Sequence, residues 1–493
     1  MTAHGTGLLS KSRYLAGLQC PRYLWVTANE PERLPEPDAE TQSLFDQGHE
    51  VGNLAKGLFP GGIDIPSDDF AANLQQSQAL LSARRPLFEA AFMSGGKYAR
   101  LDILQPAGEH AWNIIEVKSS TSVKDVHYPD VAFQRHCCEQ AGLTIERCYL
   151  AYVNGRFVRH GDIAPGEFFA LADITAEVRD IGSSVASRAE ELLSVMAAPA
   201  CPEVAIGPQC SEPYDCPLKG ECWAFLPGDS VFTLYRIGRQ AHALLERGIA
   251  SIAQLSAGSP LTREQRIQRD CVTRGSHHVE PMALRSFLRR LTYPVHYLDF
   301  ETVGTAIPLF DGIRPYQQAP FMFTLETVRR PGEPGERRAF LAEGRADPRP
   351  TLARALQAAI GAEGSVVAYN APFEVRVLRD LAMAFPELQP WTEAVCARMV
   401  DLLLPFRGFN YYHPAQQGSA SLKSVLPALT GQGYEGLAIA DGNAAGLAYL
   451  STLSDMPEAE ARQIRANLIE YCGLDTAGMV RIVQKLEELS KTA

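Results

Sequence analysis

Apolar and polar positions are most sharply patterned between residues 98 and 120, where the chain reads YARLDILQPAGEHAWNIIEVKSS. Two short apolar runs, 101–104 and 114–118, carry charged residues at isolated positions: Asp102 in the first, Glu116 and Lys118 in the second. The bounding Pro and Gly and the β-branched content predict two neighbouring strands joined by a turn near residues 106–108. Strand side chains alternate, so Glu116 and Lys118 share a face. Charges at the ends of buried apolar strands are costly unless something pairs with them. A divalent cation on Asp102 and Glu116, with Lys118 beside it, meets that demand; so does an ordinary ion pair on a solvent-facing strand.

The motif recurs at VHYLDFETVG, residues 295–304, where Asp299 and Glu301 share a strand face. Further strands are expected at FMFTLETV (321–328) and ERRAFLAEG (336–344). In SVVAYNAPFEVRVLRDLA a strand should end near Asn370 and a helix begin near Pro372, with Glu374 in its first turn. The stretch ANLIEYCGLDTAGMVRIVQKLEEL reads as a long amphipathic helix, and the four-residue spacing puts Tyr471 and Asp475 on one face. Residues 326–349 are rich in Pro, Gly and Arg and read as an exposed hairpin or insertion. The aromatic residues Phe409, Tyr411 and Tyr412, with Lys423 following, suit either base stacking and phosphate contact or packing beneath a long loop.

Between these regions, residues 229–259 have helical spacing broken at Gly238 and Gly248, as in helix-hairpin-helix units that present backbone amides to phosphate. Residues 229–290 hold ten arginines against five acids, Arg236 and Arg239 among them, in a chain of formal charge −11. That local excess suits nucleic-acid guidance or a solvated linker bundle. The overall negative charge argues against indiscriminate nucleic-acid coating.

Length and cysteine content sharpen the picture. A chain of 493 residues is too long for one core, so two or three domains are expected. No apolar run reaches the roughly 20 residues of a membrane span, and the first residues lack the apolar core of a signal peptide. A cytoplasmic location without membrane contact is therefore expected. Eleven cysteines then read as metal ligands or buried thiols rather than disulfides. Cys210, Cys216 and Cys222 are evenly spaced in GPQCSEPYDCPLKGECW, a loop whose Pro and Gly prevent regular structure. A tetrahedral site needs a fourth thiolate: Cys20, before Pro21, is the first candidate and Cys201 the second. Zinc and a [4Fe-4S] cluster both accept four thiolates; wide spacing without paired CxxC knuckles leans toward the cluster.

Cys20-Pro21-Arg22, the Asp102…Glu116-Val117-Lys118 core and the cysteine trio together resemble the iron–sulfur branch of the PD-(D/E)XK nucleases, over about residues 8–225. The resemblance implies Asp102 and Glu116 as ligands of magnesium or manganese, Lys118 and Glu116 as catalytic groups, and His49 in DQGHEVGNLA as a further ligand. It also implies Gln134 as a nucleic-acid contact on a following helix, although Cys138 stands where the family has a tyrosine. Glu89 would mark the edge of the same site. It implies Cys20, Cys210, Cys216 and Cys222 as the cluster ligands.

The C-terminal third is similar to the DEDD exonucleases of the ribonuclease H-like fold. Asp299 and Glu301 match the first motif, Tyr471 and Asp475 the third. Glu374, after Asn370-Ala371-Pro372-Phe373, stands where the second motif carries an aspartate, with Asp401 as a substitute or supporting group. The resemblance implies metal binding by Asp299, Glu301, Glu374 and Asp475, catalysis through Asp299, and water orientation by Tyr471. No G-x-x-x-x-G-K-[ST] occurs, so no helicase motor is expected.

The expected fold is α/β: a restriction-endonuclease-like PD-(D/E)XK domain over 1–228, a basic helical bridge over 229–290, and a ribonuclease H-like domain over 291–493. The expected function is metal-dependent DNA exonuclease activity in repair, recombination or defence. The rivals are a nucleic-acid-binding protein with one degenerate nuclease domain, an RNA-processing exonuclease, and a zinc-stapled interaction protein.

Overall fold

The computed structural model describes residues 7–66 and 68–491, a mixed α/β chain. It divides into two compact units, Met1–Phe225 with Thr305–Tyr316, and Leu226–Gly304 with Gln317–Ala493. No helix among the described residues is long and apolar enough to cross a membrane.

In the first unit the elements run β1 (Leu9–Ser10), α1 (Lys11–Gln19), α2 (Pro21–Asn29), α3 (Ala39–Lys56), β2 (Ile63–Asp64), α4 (Phe70–Leu80), β3 (Leu87–Ser94), β4 (Lys97–Ala107), β5 (Ala111–Lys118), α5 (His127–Gln140), β6 (Thr144–Val153), α6 (Pro165–Phe168), β7 (Phe169–Asp173), α7 (Thr175–Met196) and α8 (Lys219–Cys222). The sheet order is β2-β3-β4-β5-β6-β7, with β1 also paired to β4. The hairpin expected from the sequence is β4–β5, antiparallel, turning through Gly108 at φ 53°. Its register runs from Ala107↔Ala111 to Ile103↔Ile115. Beyond that pair β5 continues beside β6, while the start of β4 pairs with β1 at Leu9↔Lys97. The sheet therefore forks beside Asp102 and Glu116, and α1 begins at the fork. One face of the sheet is covered by α5 and α7 through Val131, Phe133, Cys137, Val185 and Leu192; Phe133 stacks on Tyr14 with ring centroids 4.5 Å apart. The other face is closed by Val51 and Ala55 of α3 with Phe88, Ile103 and Ile115.

The second unit holds α9 (Gln240–Glu246), α10 (Arg263–Arg274), β8 (His278–Val279), α11 (Pro281–Leu288), β9 (Val295–Val303), β10 (Ala319–Val328), β11 (Glu336–Leu341), α12 (Arg349–Ala359), β12 (Ser365–Ala368), α13 (Pro372–Ala384), α14 (Gln389–Ala397), β13 (Met399–Asp401), α15 (Leu404–Arg407), β14 (Tyr411–Tyr412), α16 (Leu422–Thr430), α17 (Gly442–Ser451) and α18 (Glu458–Lys491). Its five-stranded sheet has the order β11-β10-β9-β12-β13. β9, β10 and β11 are antiparallel neighbours; β12 runs parallel to both β9 and β13. Gly364, at φ 82°, sets β12 against the start of β9: a Cβ there would stand 1.8 Å from the Pro294 carbonyl oxygen.

Residues 229–290 do not form a body of their own. β8 pairs with β14, Gln268 Nε2 donates to the Tyr412 hydroxyl at 3.2 Å, and Arg285 Nε donates to the Ser490 carbonyl at 2.6 Å. These bonds stitch the segment into the second unit. The breaks at Gly238 and Gly248 are present, both at positive φ, but Val231–Thr233 is a single 3₁₀ turn rather than a helix.

Candidate functional site: two buried carboxylate centres

The fork of the first sheet gathers more charge than the sequence pattern announced. Val117 N–H donates to Asp102 Oδ2 at 2.7 Å, tying the two strands where their ladder ends. Glu116 is 1% exposed and receives three donors. Lys118 Nζ and Lys11 Nζ reach its Oε1 at 2.6 and 2.7 Å, and Gln134 Nε2 reaches its Oε2 at 2.7 Å. Lys118 also reaches Asp130 Oδ2 at 2.7 Å, and Gln134 donates to Asp130 Oδ1 at 2.9 Å. His127, Asp130 and Gln134 fall on one face of α5 at helical spacing and are all buried.

The electrostatics follow from burial. Asp102 is pushed up to about 7, first by burial and then by the Glu116 charge. Glu116 is buried too, yet Lys11 and Lys118 hold its carboxyl well below the usual range. Both lysines are raised despite burial, with Glu116 the main cause. Burial and the Lys118 charge bring His127 down to about 4, so its ring is neutral at pH 7. Three carboxylates thus face two ammonium groups.

Several expectations need correction here. Gln134, expected to touch nucleic acid, is wholly buried; its amide orients Glu116 and Asp130 instead. His49 is exposed on α3 and takes no part in the hydrogen-bonded cluster. Glu89 lies on β3 at φ 59° and pairs with Arg100 at 3.0 Å rather than with the cluster. Sequence reasoning missed Lys11, Asp130 and His127. For Asp130 the signal was present: it lies four residues before Gln134, on the same helix face.

In the second unit, Asp299 lies opposite Thr324 and Glu301 opposite Met322 in the β9–β10 ladder. α18 packs over these strands and adds Tyr471, Cys472 and Asp475, all buried. The Tyr434 hydroxyl donates to Asp475 Oδ1. Cys472 Sγ lies 3.3 Å from Asp299 Oδ2, and ligand atoms of Asp299, Glu301 and Cys472 all fall within 4.8 Å of one another. Glu374 enters from the first turn of α13, which begins at Pro372; it is 2% exposed, and its Oε2 has no hydrogen-bond partner among the described residues.

Burial pushes Asp299, Glu301 and Glu374 well above the usual carboxylate range, and the neighbouring acids push them further. Burial raises Asp475 to about 6, although the Tyr434 hydroxyl and Lys423 pull it down. Lys423 Nζ stands 5.6 Å from the Tyr471 ring centroid and 5.9 Å from that of Tyr434. Burial, then Asp475, raises the Tyr471 phenol, so it stays protonated at neutral pH.

Asp401 accepts from the N–H groups of Asn370 and Leu403, both at 3.0 Å. These bonds hold the turn that delivers α13, with Asn370 at φ 70°. Phe409, Tyr411 and Tyr412 are buried, which favours packing over base stacking. Arg236 and Arg239 are both exposed, Arg236 lying 5.1 Å from the Tyr235 ring.

None of the eleven cysteines is paired in a disulfide. Cys20, Cys210, Cys216 and Cys222 line one small cavity with Arg22, Leu218 and Lys219; Cys201 is not part of that lining. The loop is fastened to α1 by Gln19 Nε2, which donates to the carbonyls of Gln209 at 2.9 Å and Tyr214 at 2.8 Å. Four converging thiols fit a four-thiolate group, whether zinc or an iron–sulfur cluster.

These features define a mixed α/β protein with two carboxylate-rich centres on sheet strands and a cysteine-lined cavity. Residues 296–421 match the family described as Domain of unknown function (DUF2779). The match includes Asp299, Glu301, Glu374 and Asp401, stops short of Tyr471 and Asp475, and carries no activity with it. No curated protein matches the chain.

Proposed function

We propose that the chain is a metal-dependent nuclease, with DNA as the substrate and RNA as the alternative polymer. The observation that carries this reading is the second centre. Asp299, Glu301, Glu374 and Asp475 converge almost without cations, and a buried Glu374 oxygen has no partner among the described residues. Burying unpaired carboxylates is costly, and divalent cations are the usual remedy. Hard oxygen donors suit magnesium or manganese. Such ions, when bound, lower the pKa of water and neutralise phosphate charge.

The residues then divide the work. Asp299, Glu301, Glu374 and Asp475 hold the cations, and Tyr434 keeps Asp475 oriented. Tyr471, protonated and buried beside Asp475, orients the attacking water. Lys423 offers positive charge toward a phosphate. The sheet, with its carboxylates on a central strand, supports the ribonuclease H-like resemblance. An open groove of about 620 Å³ lined by Arg290, Arg376 and Arg379, with Asp380 and Asp401, adjoins the N-terminus of α13 and supports a phosphodiester path.

In the first unit, Asp102 and Glu116 hold the cation, Asp130 and Gln134 position Glu116 and Lys118, and Lys118 stabilises the developing charge. This arrangement supports the PD-(D/E)XK resemblance, and the four-thiol cavity supports its iron–sulfur branch, with zinc as the alternative. A second reading, that this unit binds without cutting, is favoured by Lys11: its ammonium already neutralises Glu116. Manganese- or magnesium-dependent degradation of matched end-labelled DNA and RNA by wild type, Glu116→Ala and Asp299→Ala tests both readings. Activity lost only in Asp299→Ala assigns cleavage to the second centre. No metal-dependent cleavage of either polymer overturns the proposal.

A further inference from the structure

We propose that the second carboxylate centre is also a site for a thiophilic divalent cation, zinc or cobalt, with Cys472 as its thiolate ligand beside Asp299 and Glu301. This deepens the nuclease reading and rests on it for the claim that cations belong at this centre. Magnesium and manganese prefer oxygen and have little use for a thiol; zinc takes sulfur and oxygen together.

The geometry is close to what zinc needs. Cys472 Sγ stands 3.3 Å from Asp299 Oδ2, with Glu301 inside the same 4.8 Å group. A tetrahedral zinc with Zn–S of about 2.3 Å and Zn–O of about 2.0 Å sets sulfur and oxygen about 3.5 Å apart. Little movement separates the two arrangements. The sulfur is held there: Thr324 Oγ1 donates to the Cys472 carbonyl at 2.9 Å and lies 3.2 Å from Sγ. Cys472 itself is fully buried, whereas Asp299 is partly exposed, so an ion enters past Asp299.

An independent feature points to a cation at this spot. Glu374, 98% buried by its 2% exposure, adds to the negative charge felt by Glu301, yet its Oε2 is without a hydrogen-bond partner among the described residues. On binding, the S–H bond breaks, a metal–sulfur bond forms, and the proton leaves to buffer. No electron is transferred.

The test is a cobalt titration of the full chain, read by the near-ultraviolet sulfur-to-cobalt absorption band, in wild type, Cys472→Ser, Cys472→Ala and Asp299→Asn. The cysteine-lined cavity of the first unit contributes equally to all four proteins, so the difference spectra report Cys472. The expected result is a component of the wild-type band that is lost from both Cys472 variants, and at least tenfold weaker cobalt binding in that component in Asp299→Asn. Zinc should displace the cobalt in wild type, with at least tenfold weaker affinity in Cys472→Ser. A band of equal intensity in wild type and both Cys472 variants overturns the proposal. Circular dichroism identifies a variant that fails to fold, and Asp299→Asn, which keeps the cysteine, then decides. Manganese-dependent cleavage with no Cys472 band sinks this inference alone; the band without any cleavage sinks the nuclease reading alone.

Discussion

Lys11 Nζ sits 2.7 Å from Glu116 Oε1 across 105 residues of chain. β1 brings it there: pairing of Leu9 and Ser10 with β4 ends at the fork, and Lys11 is the next residue. A charged hydrogen bond of this kind contributes about 1.5–3 kcal/mol. Glu116 keeps Lys118 and Gln134 when Lys11 is removed, so the lower half of that range applies. Lys11→Met should lower stability by about 2 kcal/mol in metal-free buffer and by less in saturating manganese, because the cation replaces the missing charge. Urea unfolding with and without manganese measures both. Equal losses in the two buffers would show that no cation reaches Glu116.

Asp102 makes stability depend on pH in an unusual direction. Its folded pKa of about 7 lies above the unfolded value, so the native state holds the proton longer. Its contribution is greatest below about pH 4 and declines as pH rises toward its folded pKa, by up to about 4 kcal/mol. Glu116, held low, works oppositely: its stabilisation is present above about pH 4.5 and is lost only in stronger acid. Between pH 5 and 7 the Asp102 trend should therefore dominate this centre. Melting temperatures should fall across that window in EDTA, fall less in Asp102→Asn, and hold nearly level with manganese. A slope unchanged in Asp102→Asn would assign the effect elsewhere, with the raised carboxyls of the second centre, Asp299, Glu301, Glu374 and Asp475, next in line.

Tyr434 was invisible to motif reading, yet its hydroxyl is the hydrogen bond that lowers the Asp475 pKa. Tyr434→Phe removes the donor and leaves the ring. The Asp475 carboxyl should then hold its proton to higher pH, by about one unit for a bond worth about 1.5 kcal/mol. The acidic limb of the metal-dependent activity profile should move up by the same amount while activity at pH 9 changes little. A uniform loss at every pH would mean that the ring, not the hydroxyl, matters.

How far the sequence reveals the centres depends on what kind of spacing carries each residue. Glu116 and Lys118, Asp299 and Glu301, and Tyr471 and Asp475 are each separated by one period of their own element, so a local pattern finds them. The strand–turn–helix at Asn370 and Pro372 is likewise local chemistry, and it correctly puts Glu374 in the first turn of α13. Lys11 and Tyr434 reach their carboxylates only through tertiary packing, across 105 and 41 residues, and no local signal announces such a contact. His49 is the converse case. A motif position says nothing about which face of a helix turns inward, and this one turns outward. The bridge expected over 229–290 rests on helical spacing and an arginine excess, both local signals, whereas the short pairings with distant strands that join the segment to the second unit leave no local trace.

The cysteine loop offers the most direct chemical check. Cys20 stands at the junction of α1 and α2; Cys210, Cys216 and Cys222 come from a segment whose only described helix longer than a 3₁₀ turn is α8. Apolar packing around it is thin, chiefly Trp25, Val26, Cys216 and Leu218. Hydrogen bonds from Gln19 and the Arg22–Glu221 pair at 2.7 Å add modest support, because exposed ion pairs contribute only about 0–1 kcal/mol. A group ligated by four thiolates would supply what packing does not. Protein purified without oxygen should therefore hold either iron with broad visible absorption or one zinc per chain. Cys216→Ser should lose that metal and expose Lys219 to trypsin, whereas Cys201→Ser, outside the cavity, should retain both metal and protection. If wild type carries neither metal and resists trypsin as well as before chelation, hydrogen bonds and packing alone hold the loop, and the four thiols have no ligand to share.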